Sequence, residues 1–389
     1  MFRAKITFWR VVLAIVLIAG AYATIFRFFR GLGASTNLTD AFPWGLWIGF
    51  DVMCGVMLAA GGFTLTSAVY LFNLKNFKPI VRPAVLTAFL GYLLVVVALL
   101  FDLGRGYRIW HPLVMWNPRS VMFEVAWCVT LYTTVLSLEF AGVALERFQL
   151  NKLLRVQKIL LVPLVIAGVM LSTLHQSSLG SLYLIVPNKL HPFWYTPILP
   201  VLFFLSALCV GLAMTIFESS MTAKHFGKQL ELPLIQALGR TLLVMVGVYT
   251  VVRFEDLLHR GALALLANGG WETILLLVEI LLGSALPIIL LLIPKVRESP
   301  KGLYLAAVVC LLGFVTNRMN VAITGMEAGT GQHYFPKWTE ITITLAITGF
   351  GFLVFAVAVK YLPIFSHEAA YERAAQEMVE TSELSHAEP

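Results

Sequence analysis

The chain has 389 residues, 59% of them hydrophobic and only 13% charged, with a mean hydropathy of +0.84 and a formal net charge of +7. A soluble domain carries about 25% charged residues, so this composition excludes a water-soluble fold with a catalytic domain of its own. The positive balance is a matter of loop charge and gives no reason to expect a nucleic-acid partner.

Apolar runs of roughly 20 residues, each able to cross a hydrocarbon core about 30 Å thick, recur along the whole chain. They predict about ten spans, at 8–29, 44–74, 84–103, 120–145, 153–174, 198–221, 232–258, 271–293, 303–323 and 338–362. The runs are continuous and do not alternate with polar residues, so they read as helices rather than barrel strands. The expectation is an all-α polytopic membrane domain over 1–365, followed by an acidic tail over 366–389.

The first span follows Arg3, Lys5 and Arg10 but is long and lacks a small-residue cleavage site, so it reads as a retained helix rather than a signal peptide. Loops on the amino-terminal side carry Lys75, Lys78, Arg82, Arg147, Lys152, Arg155, Lys158, Lys224, Lys228, Lys295, Arg297 and Lys301. Loops on the other side carry fewer basic residues. The positive-inside rule therefore puts both termini in the cytoplasm, consistent with an even number of spans.

The second span opens with Phe42-Pro-Trp-Gly-Leu-Trp-Ile-Gly-Phe-Asp51. Pro43 suits a first helical turn, Trp44 and Trp47 suit an interface, and Gly45 and Gly49 permit close approach. Such aromatics anchor a helix or receive a flat apolar ring. Asp51, Glu124 in the fourth span and Glu279 in the eighth are carboxylates inside apolar runs. Each costs about 2.5–3.5 kcal/mol at a helix centre on insertion scales and needs a partner or a water path. Proton transfer and helix-gluing hydrogen bonds both remain open for each.

Most remaining polar residues gather at the span ends facing away from the termini. Asp102 closes the third span, where the helix dipole disfavours an anion, and Arg105 pairs with it if the helix runs that far. His175 follows the fifth span with Gln176, Ser177 and Ser178, placing an imidazole beside several donors and acceptors. Arg253, Asp256 and Arg260 follow i,i+3 and i,i+4 spacing, so one helix face holds alternating charge. Arg253 is the residue least explained by interfacial anchoring, since a buried guanidinium demands a partner.

Cys54, Cys128, Cys209 and Cys310 are isolated within spans, with no C-x-x-C pair for a cluster or zinc. No two histidines pair across the bundle as haem ligands, and neither a P-loop nor a dinucleotide fingerprint is present. No metal, haem, flavin or iron-sulfur cluster is expected in this chain.

The motifs above, with Val81-Arg-Pro-Ala84, His175-Gln-Ser-Ser-Leu-Gly-Ser181, His191-Pro192 and Tyr334-Phe-Pro-x-Trp338, resemble the NrfD/PsrC superfamily from about 31 to 363. Within it they are most similar to HybB-type membrane subunits of nickel-iron hydrogenases. The resemblance implies two four-helix bundles with flanking helices in a bacterial inner membrane. It also implies a subunit that passes electrons between a periplasmic ferredoxin-like iron-sulfur partner, beside large and small hydrogenase subunits, and menaquinone or ubiquinone. Sulfur-metabolism and multihaem cytochrome complexes use similar subunits. Carried over by position, it implies His175 and Asp102 as the proton-exchanging pair and Arg105, Gln176, Ser178, Arg253, Trp44 and Trp47 around the quinone. Asp51, Glu124 and Glu279 are candidates for a proton path. From another class, ten helices with buried carboxylates also suit a secondary transporter, although the polar residues gather at one face and not at the midplane.

Overall fold

The computed structural model describes residues 7–226 and 230–364; the acidic tail lies outside the described residues. It contains 10 helices long and apolar enough to span a membrane. They are α1 (Phe8–Arg30), α2 (Trp47–Tyr70), α3 (Lys75–Asp102), α4 (Val121–Arg147), α5 (Asn151–Leu184), α6 (Leu199–His225), α7 (Leu232–His259), α8 (Trp271–Leu292), α9 (Pro300–Thr330) and α10 (Trp338–Tyr361). The chain is an all-α multi-pass integral membrane protein.

Packing divides them as expected. α2, α3, α4 and α5 close a first ring, each touching the next and α5 returning to α2. α6, α7, α8 and α9 close a second ring in the same order. The rings meet through α2, α5, α6 and α9, while α1 and α10 pair and lean on α2 and α3. Small residues set close crossings: a Cβ on Gly211 of α6 would lie 3.0 Å from the Ala60 carbonyl of α2, and one on Gly313 of α9 would overlap the Gly283 backbone of α8, where only glycine lets the backbones approach.

Several boundaries differ from the sequence expectation. α2 begins after Pro43, because the Leu46 N–H is taken by the Tyr334 hydroxyl at 2.9 Å, leaving Pro43 and Trp44 in a non-helical lead-in. α5 does not end at 174 but continues to Leu184. Ser177 and Ser181 donate back to the carbonyls of Thr173 and Ser177, so a polar run that reads as a helix end is absorbed into the helix. Three spans carry wide π turns, at Trp47–Cys54, Leu281–Ala285 and Asn320–Thr324. Such turns are rare and concentrate at functional sites.

Candidate functional site

The polar side chains buried within the bundles form two groups, one per bundle. In the first, α5 presents Ser172, His175 and Ser178 at three-residue spacing, one helical face turned into the ring. All three are at most 2% exposed. Toward the face opposite the termini, Ser178 Oγ donates to Glu124 Oε1 at 2.5 Å. Glu124 itself is exposed in the first turn of α4, where the positive end of the helix dipole favours an anion. Toward the terminal face, the His175 ring lies 5.6 Å from that of Tyr92, and Tyr92 lies 4.6 Å from Tyr132. Below them Glu139 Oε1 and the Tyr132 ring face Gly168 of α5. A cavity of about 350 Å³ then opens toward the terminal face, lined by Glu139, Gln157, Lys158 and the Arg82–Glu146 ion pair, whose nitrogen and oxygen are 2.9 Å apart.

This file is rich in polar atoms that lack partners. Both His175 nitrogens, the Tyr183 hydroxyl and Gln176 Oε1 have no hydrogen-bond partner among the described residues, while the hydroxyls of Tyr92 and Tyr132 have only Ser172 near them. Buried polar atoms in native proteins are almost always satisfied by protein or water. The interior of the first bundle is thus built to hold hydrogen-bonding matter supplied from outside the chain. Gln176 Nε2 is occupied, donating to the Val56 carbonyl at 3.1 Å and fixing the amide against α2.

The second bundle is, by contrast, an almost closed network. Glu279 Oε1 accepts from Asn317 at 2.8 Å and lies 3.6 Å from Arg253 Nη2. Its Oε2 accepts from Trp194 Nε1 at 2.8 Å and Asn320 Nδ2 at 2.9 Å. Arg253 also donates to the Phe193 carbonyl at 3.0 Å and lies 3.9 Å from Asp256. Asp256 is held by Arg260 at 2.7 Å and by Thr196 at 2.5 Å. The alternating charge read from spacing is therefore present, and Arg253 has the partner that its burial demands. With four donors around it, Glu279 is the counter-ion of Arg253, which fits a relay role poorly.

Other expectations need correction. Asp102 does not pair with Arg105: α3 stops at Asp102, its next residue Leu103 is extended, and Arg105 swings out to solvent. Arg27 of α1 takes the position instead. It is 3% exposed, donates to the Phe101 and Leu103 carbonyls at 2.8 and 2.9 Å, and interacts electrostatically with Asp102. Asp102 also cannot orient His175 directly. It lies ten residues along α3 from Tyr92, the ring beside His175, or roughly 15 Å at 1.5 Å per residue. Trp47 is no interfacial anchor: it is 1% exposed, 6.1 Å from the Phe101 ring, with Nε1 unpaired. Trp44 is half-buried with its ring 5.4 Å from Tyr183. Asp51 is buried in the π turn of α2, one oxygen held by Thr344 of α10 at 2.7 Å.

Arg318 is absent from the site residues that spacing selects. It is 1% exposed, donates to the Phe203 carbonyl and Ser206 hydroxyl at 3.0 and 2.9 Å, and leaves Nε and Nη1 unpaired. Its guanidinium carbon lies 3.3 Å from the Phe203 ring centroid. It also interacts electrostatically with Tyr183, Cys54 and Glu279, which places it at the seam between bundles. An arginine inside an apolar run was the available signal.

The architecture is that of a membrane subunit in which two four-helix bundles bury separate polar centres and two extra helices flank the first. The chain belongs to the NrfD family: the family described as polysulphide reductase, NrfD, matches residues 34–328, the stretch that contains both bundles and neither flanking helix. Among its relatives, a protein of Nitratidesulfovibrio vulgaris Hildenborough is 40% identical over 385 residues, covering 96% of this chain and 98% of that one. The probable Ni/Fe-hydrogenase 2 b-type cytochrome subunit of Escherichia coli K12 is 34% identical over 345 residues, 87% of each chain. The integral membrane subunit of menaquinone reductase from N. vulgaris is 30% identical over 397 residues, 95% of this chain and 94% of that one.

Proposed function

We propose that this chain is the quinone-interacting membrane subunit of a respiratory electron-transfer complex in a bacterial inner membrane. Both termini are cytoplasmic, and the face bearing Glu124, Trp44 and Tyr183 is periplasmic. Electrons pass between a periplasmic ferredoxin-like iron-sulfur subunit, beside the large and small subunits of a nickel-iron hydrogenase, and the menaquinone or ubiquinone pool. The observation that carries this reading is the set of unpartnered polar atoms in the first bundle, beneath the Trp44–Tyr183 rim. Support for the redox class comes from relatives named as hydrogenase and menaquinone reductase membrane subunits.

Reducing a quinone adds two electrons and two protons, so the site must offer donors to the ring oxygens and a group that exchanges protons. Tyr183 and the free N–H groups of Arg318 are donors of that kind. His175, with both nitrogens unengaged, is the proton exchanger, and Trp44 forms an aromatic wall. The file from Glu124 through Ser178, His175, Tyr92 and Tyr132 to Glu139 and the cytoplasmic cavity gives protons a route along the bundle axis. Gln176 holds α5 to α2, Arg253 with Glu279 fixes the second bundle, and Asp102 with Arg27 fixes the rim.

The test is His175→Ala in the assembled complex, followed by electron transfer to an added quinone and to an artificial acceptor that bypasses the membrane. Loss of the first with the second retained is the expected result. Unchanged quinone-coupled turnover removes His175 from the site. Affinity capture of the complex identifies the partners, and a chain recovered without an iron-sulfur protein overturns the electron-transfer reading.

A further inference from the structure

A larger cavity lies outside the bundles, in the cleft between α6 and α10, floored by α2 and α3. It encloses about 590 Å³, within the roughly 300–1,000 Å³ of small-molecule sites. Asp51 and Glu218 both line it. α2 crosses α6 where Ala60 meets Gly211. Asp51 is nine residues from that crossing on one side and Glu218 seven residues on the other. The two carboxyls are thus separated by roughly 24 Å along the helices, and the cleft is a long channel rather than a round pocket.

Its two ends differ. Toward Asp51 the walls are mainly aliphatic or glycine, with Leu58, Leu90, Leu94 and Ile347. Toward the cytoplasmic end Glu218, Thr222, His225 and Thr87 come together beside Phe217 and Phe355. Glu218 is nine-tenths buried and its Oε1 has no hydrogen-bond partner. Thr87 of α3 is the nearby hydroxyl that interacts with this carboxyl, and Oε1 is left for a further donor. Among the described residues no lysine or arginine lines the cleft, so they offer a phosphate headgroup no counter-ion there. Glu218 also sits seven residues inside the end of α6 at His225, roughly 10 Å, too deep for a hydrated ionic head.

A neutral, flat, hydroxyl-donating head on a hydrocarbon chain meets all of these conditions. We infer that the cleft is a second binding site, for the reduced form of the membrane quinone. One ring hydroxyl donates to Glu218 Oε1, the ring lies beside Phe217 and Phe355, and the isoprenoid tail runs over α2 and α3 toward Asp51. The inference rests on the quinone reading above but concerns a different place: Tyr92 of α3 faces His175 while Gly91 and Leu94 of the same helix face the cleft, so α3 is the wall between them.

The test uses the intact complex in phosphatidylcholine nanodiscs and a photoreactive quinol with a diazirine attached beside its ring, read by peptide mapping. Labelling within 214–225 and 347–356 is expected, displaced by unlabelled quinol. Glu218→Leu is expected to reduce it at least about tenfold, a loss of ~1.4 kcal/mol in binding. Ala356→Trp, which fills the cleft from α10 and leaves the Glu218 carboxyl in place, is expected to do the same, and His175→Ala to leave it unchanged. Undiminished labelling in both cleft variants, or displacement by phosphatidylethanolamine as effective as by quinol, overturns the inference. Labelling confined to the first bundle also overturns it while sparing the quinone reading. Labelling at neither site overturns both.

Discussion

Replacing Glu279 by leucine tests the closed network of the second bundle. The carboxylate takes hydrogen bonds from Trp194, Asn317 and Asn320 and is the nearest anion to Arg253, whose side chain is 4% exposed. Removing one partner of a buried ion pair costs about 3–5 kcal/mol, because the surviving charge is left uncompensated. The three orphaned donors add to this, though not additively. Asp256 does not rescue Arg253, since it stands 3.9 Å away and is already engaged by Arg260 and Thr196. The double variant Glu279→Leu/Arg253→Leu removes both charges, so it is expected to recover about 2 kcal/mol or more relative to Glu279→Leu alone. Survival of the detergent-extracted complex during heating, followed by fluorescence-detected gel filtration, reads all three proteins and the parent. If the double variant is as unstable as the sum of the single ones, Glu279 is not the counter-ion of Arg253 and the network is misassigned.

Three further outcomes are expected. Tyr334→Phe loses the hydroxyl that bonds Glu340 at 2.5 Å and caps Leu46 at 2.9 Å, costing about 1–3 kcal/mol for the groups left unsatisfied; thermal melting measures it. Burial, with the Glu340 bond, pushes the Tyr334 phenol well above its ordinary value, so its contribution is intact below about pH 10 and is lost as pH rises further; a parent and a Tyr334→Phe variant that weaken equally between pH 9 and 11 contradict this. His191 is pushed down by burial, opposed by Glu272, and its Nδ1 accepts from the Phe193 N–H at 3.2 Å. The folded ring therefore stays an acceptor below its ordinary value of about pH 6.5, and its contribution to stability, full above about pH 6.5, is lost as pH falls through the lowered value, which hydrogen exchange of residues 191–196 detects as faster exchange on acidification. Arg27→Met removes two charge-assisted hydrogen bonds to the end of α3, worth about 1.5–3 kcal/mol each, and is expected to expose the 101–105 turn to limited proteolysis.

Span number and helical class were legible, because apolar length dominates folding in a bilayer, whereas the division into two bundles was implied only by the family resemblance. Glu279 and Arg253 were also visible as buried charges, but their partnership was not: it joins α7 to α8 and recruits Trp194 from a loop. Asp102 illustrates the converse error. Local spacing offered Arg105, yet the partner came from α1, 75 residues earlier, because the helix stopped where the spacing rule needed it to continue. His175 was singled out correctly as a polar oddity and placed wrongly at a helix end, since serines that bond to their own helix look like loop residues in a sequence. Glu218 carried the same signal as Asp51, a carboxylate inside an apolar span, but was not singled out, and Tyr92 gave no local signal. A carboxylate oxygen without a partner and a tyrosine facing a histidine are properties of packing between spans distant in the chain.

The pairing of α1 with α10 has a consequence for how the chain is made. Among the ten spans, the earliest to leave the ribosome docks on the latest, with Gly20 against Ala346 and Gly349 against Leu13. Its ties to the first bundle, Arg27 and Phe28 at the end of α3, form only after two more helices have inserted. During synthesis α1 therefore waits in lipid with most of its surface uncommitted, while α2 to α9 close their two rings beside it. The flanking pair is the final clasp of assembly, and a chain interrupted before α10 leaves completed bundles with an unclaimed first helix for membrane quality-control proteases to recognise.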